Sequence, residues 1–331
     1  MKALARLDAR VRAPLPPERL AALRILVGLF ATVFLVIRSG YLLDVSRLPA
    51  SRFEPVGPLW FLLHPVPQWW VQGALVAAIV AGGAFVLGWR HRLAGPAFAI
   101  LVLALTTYDN SWQHVAHTEN LLTIHLAILA VAPSSDVWSL DARRRVRLVA
   151  ERAVAPSAPE IRPGPDHGWP VRLMSLVTVL TYVLAGWAKV HNGGIDWLTG
   201  DVLRNQIAHD NVRKIVLGDI HSPLGGLLSR HAWVFPPMAL FTMVVELGAP
   251  VALLSRRLRS WWVALAWLFH VGILAVMAIL FAYPISGIAY ASMLAPERLV
   301  ARVGGAVGAR LGVSAPLGRA LERSTRSGIV R

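Results

Sequence analysis

The chain has 331 residues, 56% of them hydrophobic and only 15% charged, with a formal net charge of +15 and no cysteine. That is too apolar for a soluble globular domain, and the lack of cysteine excludes disulfides, CxxC redox chemistry, thiolate metal sites and a cysteine nucleophile. The positive charge does not indicate nucleic acid: Arg and Lys punctuate apolar runs, the habit of cytoplasmic membrane loops, and do not gather on one soluble face.

The expected fold is all-α, a polytopic integral membrane helical bundle in the cell membrane. About eight membrane segments are expected, over 21–43, 71–89, 94–108, 115–132, 171–190, 234–255, 261–281 and 284–295. The third, fourth and last are short, so a tilted, broken or partly re-entrant course is expected there. The first apolar run lacks a small-residue cleavage site followed by polar sequence and is expected to stay as the first span. Lys2, Arg6, Arg10 and Arg12 precede it, and RHR at 90–92, DARRRVR at 141–147, RRLR at 256–259 and an Arg-rich tail follow. Every second connection is therefore basic, which predicts cytoplasmic termini at both ends.

The alternate connections differ in kind. Residues 44–70 are Pro-rich and end in Trp69 and Trp70, an interfacial anchor. Segment 191–233 is the longest external stretch, and TGDVLRNQIAHDNVRK within it reads as a short amphipathic helix from Thr199, lying on the membrane surface with Asp201 in its first turn. Residues 152–170, rich in Pro and Gly, read as a loop. The division expected is a transmembrane domain over 1–295 and a basic, weakly structured cytoplasmic tail over 296–331 that binds anionic lipid. No internal repeat is evident, which weakens a secondary-transporter reading.

Polar residues inside apolar runs are the candidates for function. In YDNSWQHVAHTENLLTIH, His114 and His117 fall near the outer mouth of the fourth segment, with Asn120 and His125 deeper. His117 and His125 share a helical face, and Asp109 and Glu119 are near, but such His pairs are common and no further ligand is fixed. Interhelical hydrogen bonding is the simpler expectation, and no metal is expected. Lys189, in AGWAKVHNGGIDW, carries a charge whose insertion near a bilayer centre costs about 2.5 to 3.5 kcal/mol, less toward the interface. It therefore either snorkels or pairs, with Asp196 the nearest carboxylate, or serves as a base. Glu246, in VVELGAP, needs a cross-bundle Arg, Lys or His, with Arg24 and Arg38 as candidates. For Glu246 and the mid-span His270, a structural network competes with a ligand pocket, proton transfer and transport.

Several segments in order, SWQHVAHTENLL, PSSDVWSLD, AGWAKVHNGGIDWLTGDVLR, ELGAP and FHVGILAVMAILFAYP, together resemble the HTTM (horizontally transferred transmembrane domain) family. That family shares its multi-span domain with vitamin K-dependent gamma-carboxylase, and the resemblance covers nearly all of residues 15–295. It implies that Lys189 matches the lysine that takes a proton from reduced vitamin K, across a longer gap to Asp196 and Trp197 than the family pattern has. It also implies that His117 and His270 belong to the walls of a quinol pocket.

The expected function is thus a gamma-carboxylase-like membrane protein that binds and deprotonates a quinol or other lipid-soluble substrate, with Lys189 catalytic. Trp112, His114, His117, Asn120, Trp187, Trp197, Glu246 and His270 form the expected pocket, and the cofactor class is a reduced quinone, menaquinol or vitamin K-like. The alternatives are a non-catalytic quinone or lipid binder or small-molecule transporter, and a maturation or docking factor for an exported peptide. The carboxylase continues into a large lumenal domain with no counterpart expected after residue 295, so protein carboxylation is expected to need a separate soluble or exported partner.

Overall fold

The computed structural model describes residues 13–113, 117–151 and 161–310. His114, the basic residues Lys2, Arg6, Arg10 and Arg12, and the tail beyond Arg310 lie outside the described residues. Among the described residues the regular structure is helical, and five helices are long and apolar enough to cross a membrane.

The first of these, α1 (Pro17–Val45), begins on a proline, whose missing N–H would have been unpaired in a first turn anyway. Leu20, Leu23, Val27, Ala31 and Leu35 recur at helical spacing and are buried, while Leu29, Val36 and Ile37 on other faces are exposed. A helix apolar on its outer faces as well as its packed one is at home in lipid, not water. Helices α2 (Gln68–Leu87) and α3 (His91–Asn110) form an antiparallel hairpin beside it, and α4 (Asn120–Val131), shorter than the expected 115–132 segment, closes this half of the core.

The Arg-rich end is built as a plug. Arg24 is fully buried and donates to the carbonyl oxygens of Ser134 and Trp138 at 2.6 Å each. Asp141, at the start of the basic helix α5 (Leu140–Glu151), accepts from the backbone N–H groups of Arg90 and His91 at 2.9 Å each. It so satisfies orphan donors at the N-terminus of α3. The expected role of Arg24 as partner of Glu246 is therefore overturned, because its guanidinium is committed to loop carbonyls. Arg38, the other candidate, pairs with Asp109 at 3.1 Å toward the opposite end of α1.

The second half holds α6 (Pro165–Leu198), α7 (Asp201–Leu217), the short α8 (Pro223–Leu228), α9 (Phe235–Leu247) and α10 (Arg256–Met277). Its core gathers Val179, Tyr182, Val245, Trp262, Ala266 and Tyr290. Helix α7 begins two residues after the Thr199 expected from sequence, and it caps the end of α10. Lys214 donates to the Met277 carbonyl at 2.5 Å, Asn211 to Val276 at 3.3 Å and, from the loop before α8, Ser222 to Ala275 at 2.6 Å. Those carbonyls end α10 without intrahelical partners, and α7 with its loop supplies the donors.

After Met277 the chain turns at Ala278 and runs back beside α10 until Arg259 donates to the Met293 carbonyl at 3.4 Å. The expected eighth segment, 284–295, is not a continuous helix but α11 (Ala282–Ile285) followed by a 3-10 turn, Ile288–Met293. Pro284 lacks a helical donor, and Gly287 adopts a left-handed φ of 76°, which together break the helix. Irregular backbone at this depth is tolerated only where protein covers it or it lines a cavity. Tyr283, Ala289, Tyr290 and Met293 are buried accordingly. Residues Pro296–Arg310, expected as weakly structured tail, form α12, held to α1 by the Arg19–Glu297 pair at 2.7 Å.

Candidate functional site

Lys189 and Glu246 are 57 residues apart in sequence and form an ion pair between α6 and α9. Two glycines make this meeting possible. At Gly186 the helices touch so closely that a Cβ would stand 3.0 Å from the Glu246 Cβ and 2.9 Å from Leu247 Cδ2. At Gly194 the backbone takes φ 54° and ψ −139°, a conformation that side chains other than hydrogen forbid, and α6 kinks. The kink turns Trp197 inward, where it is 4% exposed and donates from Nε1 to Thr242 Oγ1 at 3.3 Å. The same kink leaves Asp196 exposed, so the expected Lys189–Asp196 pairing is overturned in favour of Glu246.

The pair sits on the wall of a cavity of about 660 Å³. Aromatic rings frame it: Lys189 Nζ lies 5.3 Å from the Trp197 ring centroid and 5.6 Å from that of Phe269. Beyond them the Phe281 ring lies tilted, 5.0 Å from His270 and 5.8 Å from His117 between ring centroids. Thr181, Ala185 and Ala188 on one face of α6 line the cavity and are also exposed, so its mouth opens sideways within a membrane-spanning helix. Asn192 and Gln206 mark its polar outer rim.

A buried polar chain backs the cavity. His270 Nε2 lies 2.8 Å from Tyr182 Oη, which lies 2.6 Å from Tyr290 Oη. Proton accounting sets the direction. If Tyr290 donates to Tyr182 and Tyr182 to His270 Nε2, both hydroxyl protons are used; the reverse order strands the Tyr290 proton in a residue only 1% exposed. His270 then carries its own proton on Nδ1. Both His270 Nδ1 and Glu246 Oε2 are buried without a hydrogen-bond partner among the described residues, and both residues line the cavity.

A family model described as the HTTM domain matches residues 12–294. The chain belongs to the HTTM family. That family is associated with the membrane domains of vitamin K-dependent carboxylases, and its matched span in this HTTM protein contains every cavity-lining residue. No curated protein and no solved structure matches the sequence. With five helices among the described residues long and apolar enough to cross a membrane, the HTTM protein is a multi-pass membrane protein.

Of the residues expected at the site, Lys189, His117, Trp197, Glu246 and His270 line this one cavity. Three others do not, which corrects the expectation. Trp112 packs into an aromatic cluster with Phe53 at 5.1 Å and Tyr108 at 5.8 Å. Trp187 is 60% exposed, because two residues before Lys189 on a helix is about 200° away around the axis. Asn120 opens α4 as an exposed residue off the cavity wall. His125, considered for metal binding, is a satisfied core residue bonded to Tyr283 Oη at 2.8 Å and the Met174 carbonyl at 3.2 Å. No cluster of three or more metal-ligating side chains occurs among the described residues.

The reading from sequence missed Tyr182, Phe269, Phe281 and Tyr290. Tyr182 had a signal, since it precedes Lys189 by seven residues and so shares its helical face. Phe269 and Tyr290 had none, being unremarkable members of apolar stretches.

Proposed function

We propose that this HTTM protein is a gamma-carboxylase-like membrane enzyme that binds a quinol, or another lipid-soluble ring compound bearing a hydroxyl, and deprotonates it at the Lys189–Glu246 pair. The observation that carries this reading is a partly buried ion pair on the wall of a sideways-open aromatic cavity. Desolvation strengthens each electrostatic contact made there, and a phenol-type hydroxyl needs a positioned base and donors for the oxygen left behind. A volume near 660 Å³ suits a bicyclic ring with the first part of an apolar tail. The tail would leave past Ala185 and Ala188 into the lipid, which makes membrane lipid the medium of delivery.

The Arg-rich end carries Arg143, Arg144, Arg145, Arg256 and Arg257, which supports a cytoplasmic position for that end and an outer position for the cavity. Lys189, His117, Trp197, Glu246 and His270 are the residues assigned to this reaction. Native mass spectrometry of gently extracted protein is expected to retain a quinone-class molecule that Ala188→Trp, which fills the mouth, excludes. Lys189→Ala is expected to keep the fold and lose turnover of a reduced naphthoquinone; unchanged turnover would remove Lys189 from the reaction, and retention with no turnover in the unaltered protein would leave a non-catalytic lipid binder.

A further inference from the structure

We propose that the Arg-rich end of the bundle holds a binding site for the phosphate group of an anionic phospholipid, formed by Arg19, Arg172, Arg256 and Arg259 between α1, α6 and α10. Arg172 and Lys189 stand 17 residues apart on α6, about 26 Å along its axis, so the site is separate from the cavity and does not depend on the reaction proposed there.

A short stretch of the returning chain, residues 292–297, draws the three helices together. Ser292 Oγ accepts from Ser175 Oγ at 3.1 Å, and Ser175 lies one turn along α6 from Arg172. The Met293 carbonyl accepts from Arg259 Nη1 at 3.4 Å in the first turn of α10, and Glu297 pairs with Arg19 of α1 at 2.7 Å. Arg259 Nε also donates to the Ala252 carbonyl at 3.1 Å, and Arg172 donates to the Ala13 carbonyl at 2.7 Å. Carbonyl acceptors hold these guanidiniums in place without neutralising them.

The charges feel one another. Arg172 lies within electrostatic reach of Arg19 and Arg259, and Arg259 within reach of Arg19 and Arg256. Glu297 offsets one of these charges. Arg19, Arg172 and Arg259 are half-buried, where like charges repel more strongly than in open water. A phosphate among them relieves that repulsion, and its oxygens match the planar fork of each guanidinium.

The surroundings favour a phosphate that arrives on a lipid. Leu176 follows Arg172 by one turn and shares its face of α6, and Leu173, Leu176 and Leu180 are exposed. Leu258, next to Arg259, and Trp261 are exposed as well. Acyl chains hanging from a phosphate at the arginines would run along these residues, whereas a free phosphate makes no use of them. Basic pockets between spanning helices are a recurrent place for anionic headgroups.

The test titrates the full chain, delipidated in a mild non-ionic detergent, with phosphatidylglycerol, with phosphatidylcholine of the same acyl length and with inorganic phosphate. Native mass spectrometry counts retained lipid, and the thermal midpoint reports binding, since a ligand of the folded state raises it. Phosphatidylglycerol is expected to be retained and to raise the midpoint by several degrees, and the other two at equal concentration are not. Arg172→Gln with Arg256→Gln is expected to weaken phosphatidylglycerol binding at least tenfold. Arg143→Gln with Arg144→Gln, which removes the same charge from exposed positions on α5, is expected to change it less than twofold. Should the first double variant not fold, Arg256→Gln alone, at an exposed position, is expected to weaken binding at least threefold, and no loss there overturns the site. Equal weakening by the α5 variant shows diffuse attraction to a basic surface and overturns it too. Inorganic phosphate that protects as well as phosphatidylglycerol overturns the lipid source, and phosphatidylcholine bound as tightly removes the requirement for net negative charge.

Discussion

Gly186 packs directly against the side chains of Glu246 and Leu247 at the crossing of α6 and α9, so that a Cβ at Gly186 would fall 3.0 Å from that of Glu246. The contact lies one helical turn from Lys189 and sets the spacing across which the ion pair forms. Between helices in lipid there is little hydrophobic driving force, so such close packing of small residues is a main source of association.

Gly186→Val is therefore expected to push the two helices apart and to separate Lys189 from Glu246. Overpacking of this kind costs about 1–3 kcal/mol. Thermal unfolding in mild detergent should fall by several degrees, and binding of a quinone-class molecule should be lost at temperatures where the variant is still folded. Full binding with unchanged melting would show that the crossing does not set the site.

Tyr290→Phe removes the donor to Tyr182 but leaves His270 Nε2 as the acceptor of the Tyr182 proton. ¹⁵N NMR of labelled histidine should therefore keep His270 in its Nδ1-protonated form, with a modest loss of stability. Tyr182→Phe is expected to be worse for stability, since it strands both His270 Nε2 and the Tyr290 hydroxyl, at about 1–3 kcal/mol for each unsatisfied group. Equal melting temperatures for the two variants would contradict the chain.

Arg24→Ala leaves the carbonyls of Ser134 and Trp138 without their donor in a buried plug, at about 1–3 kcal/mol for each. The prediction is a large fall in melting temperature. Arg24→Lys should recover part of it, because one ammonium can serve one carbonyl but lacks the planar fork that serves two.

Asp210 in α7 should give the protein an acid limb of stability. Burial pushes its carboxyl up, but hydrogen bonds and charge from Lys214 and Arg213 outweigh this and hold it below its ordinary value. A carboxylate whose folded value is depressed adds stability that is complete above the unfolded value, about 3.9, and is lost as pH falls through the lower folded value. Melting temperature should thus drop from about pH 4 downward in the unaltered protein, and less steeply in Asp210→Asn. Parallel curves for the two proteins would remove Asp210 from the account.

The chain by itself determined that this is a helical membrane protein, because hydropathy is a local property and each apolar run reports its own preference for lipid. It also exposed Lys189, Glu246 and His270 as costly polar residues in apolar surroundings, since that cost is readable one residue at a time. What only the tertiary structure decided is which of them meet. Rotation of α6 sends Trp187 outward, the kink at Gly194 turns Trp197 in and Asp196 away, and α9 delivers Glu246 to Lys189 from 57 residues along the chain. The short last segment is expected from sequence to be tilted, broken or partly re-entrant, but the place of its break and the burial of Tyr283 and Tyr290 follow from the helices packed around it, not from periodicity. Pairing across a bundle depends on helix rotation, crossing distance and backbone breaks, and none of these is carried by the composition of a single segment.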